Sequence, residues 1–166
     1  MANIIQIKRS NTASTPSTAL NGGELAYSYN SNSFFVGAQT GIGYSALNSI
    51  SSGANNVAVG HQSLQANTTA SENTAVGYKA GYSNTTGTDQ TFIGNNAGNA
   101  TTTGSANTAV GSNTFVTNST GQDNSAFGVG ALYAATTASG NTALGRATLR
   151  FNTTGASKDR KSTRLN

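Results

Sequence analysis

The chain has 166 residues, enough for one ordinary domain, but only 8% of them are charged where about a quarter is usual. Gly, Asn, Thr, Ser and Ala dominate, with one Pro, no Cys and no Trp, which excludes a disulfide framework and a thiolate metal site. Disordered linkers carry many prolines or a high net charge, and this chain has neither, so a repetitive β structure is left.

Residues 1–38 do not repeat. The start, Met1-Ala2-Asn3-Ile4-Ile5-Gln6-Ile7-Lys8-Arg9, has no long apolar run before a cleavage site. No stretch approaches the ~18 apolar residues that span a bilayer, so cytoplasmic synthesis and assembly without membrane insertion are expected. Ile4-Ile5-Gln6-Ile7-Lys8-Arg9 reads as a short strand and Ser14-Thr15-Pro16-Ser17 as a loop. Gly23-Glu24-Leu25-Ala26-Tyr27-Ser28-Tyr29 and Phe34-Phe35-Val36-Gly37 read as a hairpin around Asn30-Ser31-Asn32.

From residue 39 a 17-residue unit recurs without insertion at 39–55, 56–72, 73–89, 90–106, 107–123, 124–140 and 141–157. Its consensus is N-T-A-V-G-x-x-A-L-x-x-N-T-T-G-x-x. The fixed points are Gly43, Gly60, Gly77, Gly94, Gly111, Gly128 and Gly145, which mark positive φ or close backbone approach. Before each glycine stands a large apolar residue: Ile42, Val59, Val76, Ile93, Val110, Phe127 or Leu144. These seven are expected to be the repeat core. Leu47, Leu64, Phe115, Leu132 and Leu149 form a second apolar column, broken by Gly81 and Gly98.

Two short apolar segments per unit predict two short strands per coil, and Gly, Asn and paired Thr disfavour helix. The expected fold is an all-β parallel β-roll or β-solenoid of seven coils, with a small N-terminal hairpin segment. Asn56, Asn73, Asn107, Asn124 and Asn141 should hydrogen-bond from rung to rung at about 4.8 Å. Seven rungs give about 30–35 Å of rod. With about four apolar side chains per unit the core is thin, so stability is expected from association, most simply a homotrimer.

The last eight residues, Asp159-Arg160-Lys161-Ser162-Thr163-Arg164-Leu165-Asn166, resemble the in-frame translation of a common short-read sequencing adapter. Lys158 stands where the repeat calls for Asn. An Asn codon whose third base becomes A reads as Lys, which puts a junction in codon 158. On this reading residues 158–166 lie outside the fold and the natural chain continues further. The alternative is a basic, disordered tail that binds nucleic acid or another polyanion. The eight residues hold three of the nine bases and one of the five acids, so the formal charge of +4 falls to +2 without them. No nucleic-acid partner is then expected.

No acid, base and nucleophile set converges, so the chain reads as a non-enzyme without cofactor or metal. His61, the only histidine, sits in a corner column with Tyr44 and Tyr78 and lacks recurring partners. Gly41-Ile42-Gly43-Tyr44-Ser45-Ala46 has the spacing of a dinucleotide fingerprint but no strand–helix unit around it. Glu72, Asp89 and Asp123 share a column in which Glu72 and Asp89 are rung neighbours, and a solvated edge is preferred to a shared cation. Asn-x-Ser/Thr triplets such as Asn67-Thr68-Thr69 follow from the repeat and read as turns. Tyr78, Tyr82 and Tyr133 sit at the corners with Phe151; packing between protomers is the first expectation, a glycan contact the second. Stacked Thr68-Thr69 type pairs suggest an ice-binding solenoid, but consecutive residues of a strand face opposite ways.

The layout I-Q-I-K-R…G-E-L-A-Y…F-F-V-G of residues 1–38 resembles the N-terminal segments of phage tail-fibre and tropism-determinant proteins. The N-T-A-V-G-x-x-A-L units of residues 39–157 resemble tail-fibre shaft repeats and are similar to the head repeats of trimeric autotransporter adhesins. The resemblance implies a trimeric fibre located in the virion, assembled in the host cytoplasm. Residues 1–38 would bind virion tail or baseplate proteins. A host receptor or glycan would be met through a further C-terminal part. A bacterial adhesin head is the alternative the same repeats imply.

Overall fold

The computed structural model describes residues 7–10, 25–28, 33–35 and 39–161. The chain divides into two compact units, Met1–Thr40 and Gly41–Asn166. In the first, β1 (Ile7–Ser10) pairs parallel with β2 (Leu25–Ser28), and β2 pairs antiparallel with β3 (Ser33–Phe35). The β2–β3 pair is the expected hairpin, with Ala26 opposite Phe35. The loop at Ser14-Thr15-Pro16-Ser17 and the turn at Asn30-Ser31-Asn32 lie outside the described residues.

The second unit is one parallel ladder. Its strands are β4 (Thr40–Ile42), β5 (Val57–Val59), β6 (Thr74–Val76), β7 (Thr91–Ile93), β8 (Thr108–Val110), β9 (Ser125–Phe127), β10 (Thr142–Leu144) and β11 (Asp159–Lys161). They lie side by side in chain order, so each coil stacks on the one before it. The register steps by one repeat at a time: Ala58 opposite Ala75, Ala75 opposite Phe92, Phe92 opposite Ala109. The unit is an all-β solenoid of about seven turns, with no helix among the described residues.

Two expectations change here. Each coil holds one three-residue strand, not two. The second apolar segment does bond from rung to rung, as in Leu64 N–H donating to Ala80 O at 3.0 Å and Ala66 N–H to Tyr82 O at 3.0 Å. It is not extended, because left-handed residues flank it. Gln62 and Leu64 have φ of 58° and 46°, Lys79 and Gly81 52° and 59°. The second change is at the tail. Asp159-Arg160-Lys161 continues the ladder against Thr142-Ala143-Leu144, so these three residues take part in the fold. Residues 162–166 lie outside the described residues.

The inside of the coil is narrow. Ala58, Ala75, Ala109, Ala126 and Ala143 come from the strands, and Leu47, Leu64, Phe115 and Leu132 come from the opposite segment. The glycines that break the second column are explained by Phe92, the one large residue in the alanine column. A Cβ on Gly81 would lie 2.8 Å from both Leu64 Cδ2 and Phe92 Cδ2, and one on Gly98 would strike the Phe92 ring. The ring fills from the strand side the space that Leu fills elsewhere from the other side.

Buried amides line the same interior. Asn73 Nδ2 donates to Asn56 Oδ1 at 3.0 Å, Asn124 Nδ2 to Asn107 Oδ1 at 3.0 Å and Asn141 Nδ2 to Asn124 Oδ1 at 2.9 Å. Backbone N–H groups use the same acceptors: Gln90 N donates to Asn73 Oδ1 at 3.0 Å. Each such bond satisfies a buried donor whose orphaning costs about 1–3 kcal/mol. A second amide set closes the far turn, as where Asn118 Nδ2 donates to Gly121 O and Gly121 N donates back to Asn118 Oδ1.

Two stability tests follow. Gly94 has φ of 135° and its missing Cβ would fall inside contact distance of the Gly111 carbonyl, whereas Gly130 (φ 68°) has open space and shares its column with Asn96 and Asn113. In urea unfolding, Gly94→Ala should cost about 2 kcal/mol or more, and Gly130→Asn should stay within about 0.5 kcal/mol of the parent. Phe92→Ala should cost about 3–5 kcal/mol, and adding Gly81→Leu with Gly98→Leu should recover most of it, although Gly98→Leu alone destabilises.

Candidate functional site

In a three-residue strand the middle side chain faces one way and its neighbours the other. The middle position holds the buried alanines, so the residue before each glycine points outward. This corrects the expected repeat core. Ile42 is 57% exposed, Phe127 39% and Leu144 47%, with Val76 and Ile93 also exposed and Val59 and Val110 half-buried. The seven side chains form a continuous apolar ladder along the outer face of the sheet. Val57, one position before the alanine column, joins them.

A second surface lies on the turn that follows each strand and the segment after it. Tyr44, His61 and Tyr78 occupy the same position in coils one to three and stack in file. Ring centroids are 5.2 Å and 5.4 Å apart, with interplanar angles of 26° and 23°. His61 is thus sandwiched between two tyrosines, which its column showed but its isolation from other functional groups concealed. Lys79 Nζ lies 5.4 Å from the Tyr78 ring centre and 5.1 Å from that of Tyr82. Four coils further on, Arg150 Cζ lies 5.3 Å from Tyr133 and 5.6 Å from Phe151. These separations are those of cation–π contacts. Of the three tyrosines singled out as glycan contacts, Tyr78 is exposed and Tyr82 and Tyr133 are half-buried beneath the cations.

The acidic column sits elsewhere. Glu72, Asp89 and Asp123 are exposed at the last position of their coils, with φ of 62°, 58° and 58°. Asn and Asp enter this left-handed region more readily than other side chains, so the backbone accounts for most of the column. Asp89 Oδ2 accepts from Thr88 Oγ1 at 2.8 Å. Among the described residues no group of three or more His, Cys, Asp or Glu is placed to hold a metal ion. Gly41-Ile42-Gly43 belongs to β4 and the turn after it, with no helix following.

The paired threonines divide their labour. The first of each pair spends its hydroxyl along the axis: Thr68 Oγ1 donates to Thr85 O at 3.1 Å, Thr85 Oγ1 to Thr102 O at 3.0 Å and Thr136 Oγ1 to Thr153 O at 3.1 Å. The second, Thr69, Thr86, Thr103, Thr120 and Thr137, is exposed in single file.

No protein-family model, no curated protein and no solved structure matches the chain.

Proposed function

We propose that the chain is shaft material of a trimeric phage tail fibre, acting as a stiff structural spacer in attachment to the host cell. The observation that carries this reading is the outward apolar ladder from Ile42 to Leu144. A soluble coil gains nothing by exposing a large apolar side chain on every rung. Three parallel copies placed in register would bury the ladder along a shared axis, adding at each rung about 25 cal/mol per Å² removed from water. Closure by rotation also limits growth to a discrete assembly.

The resemblance of residues 1–38 to virion-proximal segments supports a tail fibre over an adhesin head. The mechanism is mechanical and multivalent: a stiff rod holds three distal tips together and raises their effective concentration at the cell surface. No catalytic step is assigned. An ice-binding role is disfavoured because the first Thr of the pair, as at Thr68 and Thr85, spends its hydroxyl on a carbonyl of the next coil, so the pair does not present two free hydroxyl files.

Light scattering on a size-exclusion column should give a mass near three times the 16.7 kDa chain. Ile93→Glu should convert that species to folded monomer, because the side chain is exposed within one chain and buried only on association. A folded β-rich monomer of the parent chain would refute the trimer. Antibody against residues 39–157 should decorate virion tails in immunogold microscopy, and labelling of bacterial envelopes would favour the adhesin instead.

A further inference from the structure

We infer that the turn-side edge of the coils is a docking surface for an acidic polysaccharide, running along the rod and separate from the apolar ladder. The inference goes beyond the spacer role and does not depend on which particle carries the chain.

The first observation is the segregation of charge. Within residues 39–157 the bases are Lys79, Arg146 and Arg150, and all three stand on this edge. The acids Glu72, Asp89 and Asp123 all stand at the coil's last position. Among the described residues neither Lys79 nor Arg150 has a carboxylate or hydrogen-bond partner for its charged head. Each charge is instead held over two aromatic rings, which fixes the side chain while leaving its donors toward solvent. An unpaired cation prepositioned on rings is suited to a carboxylate arriving from outside.

The second observation is what surrounds the cations. Tyr78 is 44% exposed, which offers an apolar face and edge of the kind that pack on the C–H side of a pyranose. Between the two cation–aromatic clusters the same columns carry uncharged amides and hydroxyls such as Asn95, Asn99 and Ser112, and no carboxylate. These supply donors and acceptors for sugar hydroxyls. The backbone positions of these columns recur at every rung, so an extended polymer lying along the axis can follow the edge from one cation–aromatic cluster to the other.

The sparseness of charge separates a polysaccharide from a nucleic acid. Nucleic-acid affinity comes chiefly from neutralising many closely spaced phosphates. Three cations, one in the third coil and two in the seventh, are too few for that, whereas a carboxylate polysaccharide also offers hydroxyl groups and pyranose faces to the amides and rings of this edge.

The test uses the full chain in isothermal titration with three probes: polygalacturonate, the same polymer fully methyl-esterified, and a single-stranded oligodeoxynucleotide. Polygalacturonate should bind, and the ester should bind about tenfold more weakly because its charge is gone. The oligodeoxynucleotide should bind no better than the ester. The variants Lys79→Gln, Arg150→Gln and Tyr78→Asn each install a residue that the same column already holds, at Gln62, Gln65 and Asn95. Each should keep the parent circular dichroism spectrum and thermal midpoint while weakening polygalacturonate about threefold or more. Glu72→Gln, in the acidic column, should leave binding unchanged or tighten it. The inference is overturned by equal affinity for acid and ester, by unchanged binding in the three variants, or by no binding to polygalacturonate. Tighter binding of the oligodeoxynucleotide overturns it in favour of a nucleic-acid surface.

Discussion

A coil of backbone leaves its N–H and C=O groups pointing along the stacking axis, and only the neighbouring coil can satisfy them. The rest of this structure depends on that demand. Gly60 N–H reaches Ile42 O at 2.7 Å, Gly77 N–H reaches Val59 O at 2.8 Å, and the same bond recurs to Gly145. The bonds close only if successive coils have equal length, so the 17-residue period tolerates no insertion from 39 to 157. Close approach of the coils removes room for a Cβ at the turn, which leaves glycine there. It also brings identical buried amides within reach of one another, so asparagine becomes a structural residue where an apolar side chain could not supply a partner.

Much of this was legible in the sequence because the axial bonds write themselves as a period. The glycine column, the asparagine ladder and the solenoid class all follow from it, while the N-terminal hairpin was read from the apolar segments either side of Asn30-Ser31-Asn32. The column before the glycines was expected inside and lies outside for a specific reason. Val76 and Leu64 differ little in hydrophobicity, and composition alone cannot tell which lies inside. The deciding residue is the small one beside valine in the strand: alanine at position 75 fits a narrow interior, so valine at 76 must face out. Leu64 reaches the interior from a left-handed backbone, a conformation costing roughly 1–2 kcal/mol that leucine propensity does not suggest. The exchange of Leu for Gly at 81 and 98 looked like a defect because its complement, Phe92, enters from another column.

The outer columns obey looser rules than the inner ones. Inside, the strand position is Ala in five coils and Phe92 in one, with Gly41 in the first. On the turn-side edge a single column runs Tyr44, His61, Tyr78, Asn95, Ser112, Val129 and Arg146. The backbone is held identically by its axial bonds beneath all seven, so the edge can vary rung by rung without disturbing the scaffold. The apolar ladder on the sheet face is intermediate, varying in size but never in polarity from Ile42 to Leu144. That graded constraint separates a surface that is always apolar from one free to diversify.

Because each coil touches only the ones above and below it, the repeat region is a stack of similar layers. Recombination between two copies of the repeat, out of step by one unit, would delete or duplicate a whole layer and rejoin the flanking coils through the same axial bonds, except that loss of the coil holding Gly81 would set Leu64 against Phe92. Such a crossover changes the length of the rod by about 4.8 Å, the spacing of one strand. The length of the solenoid unit is thus set by copy number, a quantity that a genome can alter in one event, while mutations at the turns change what its flank presents.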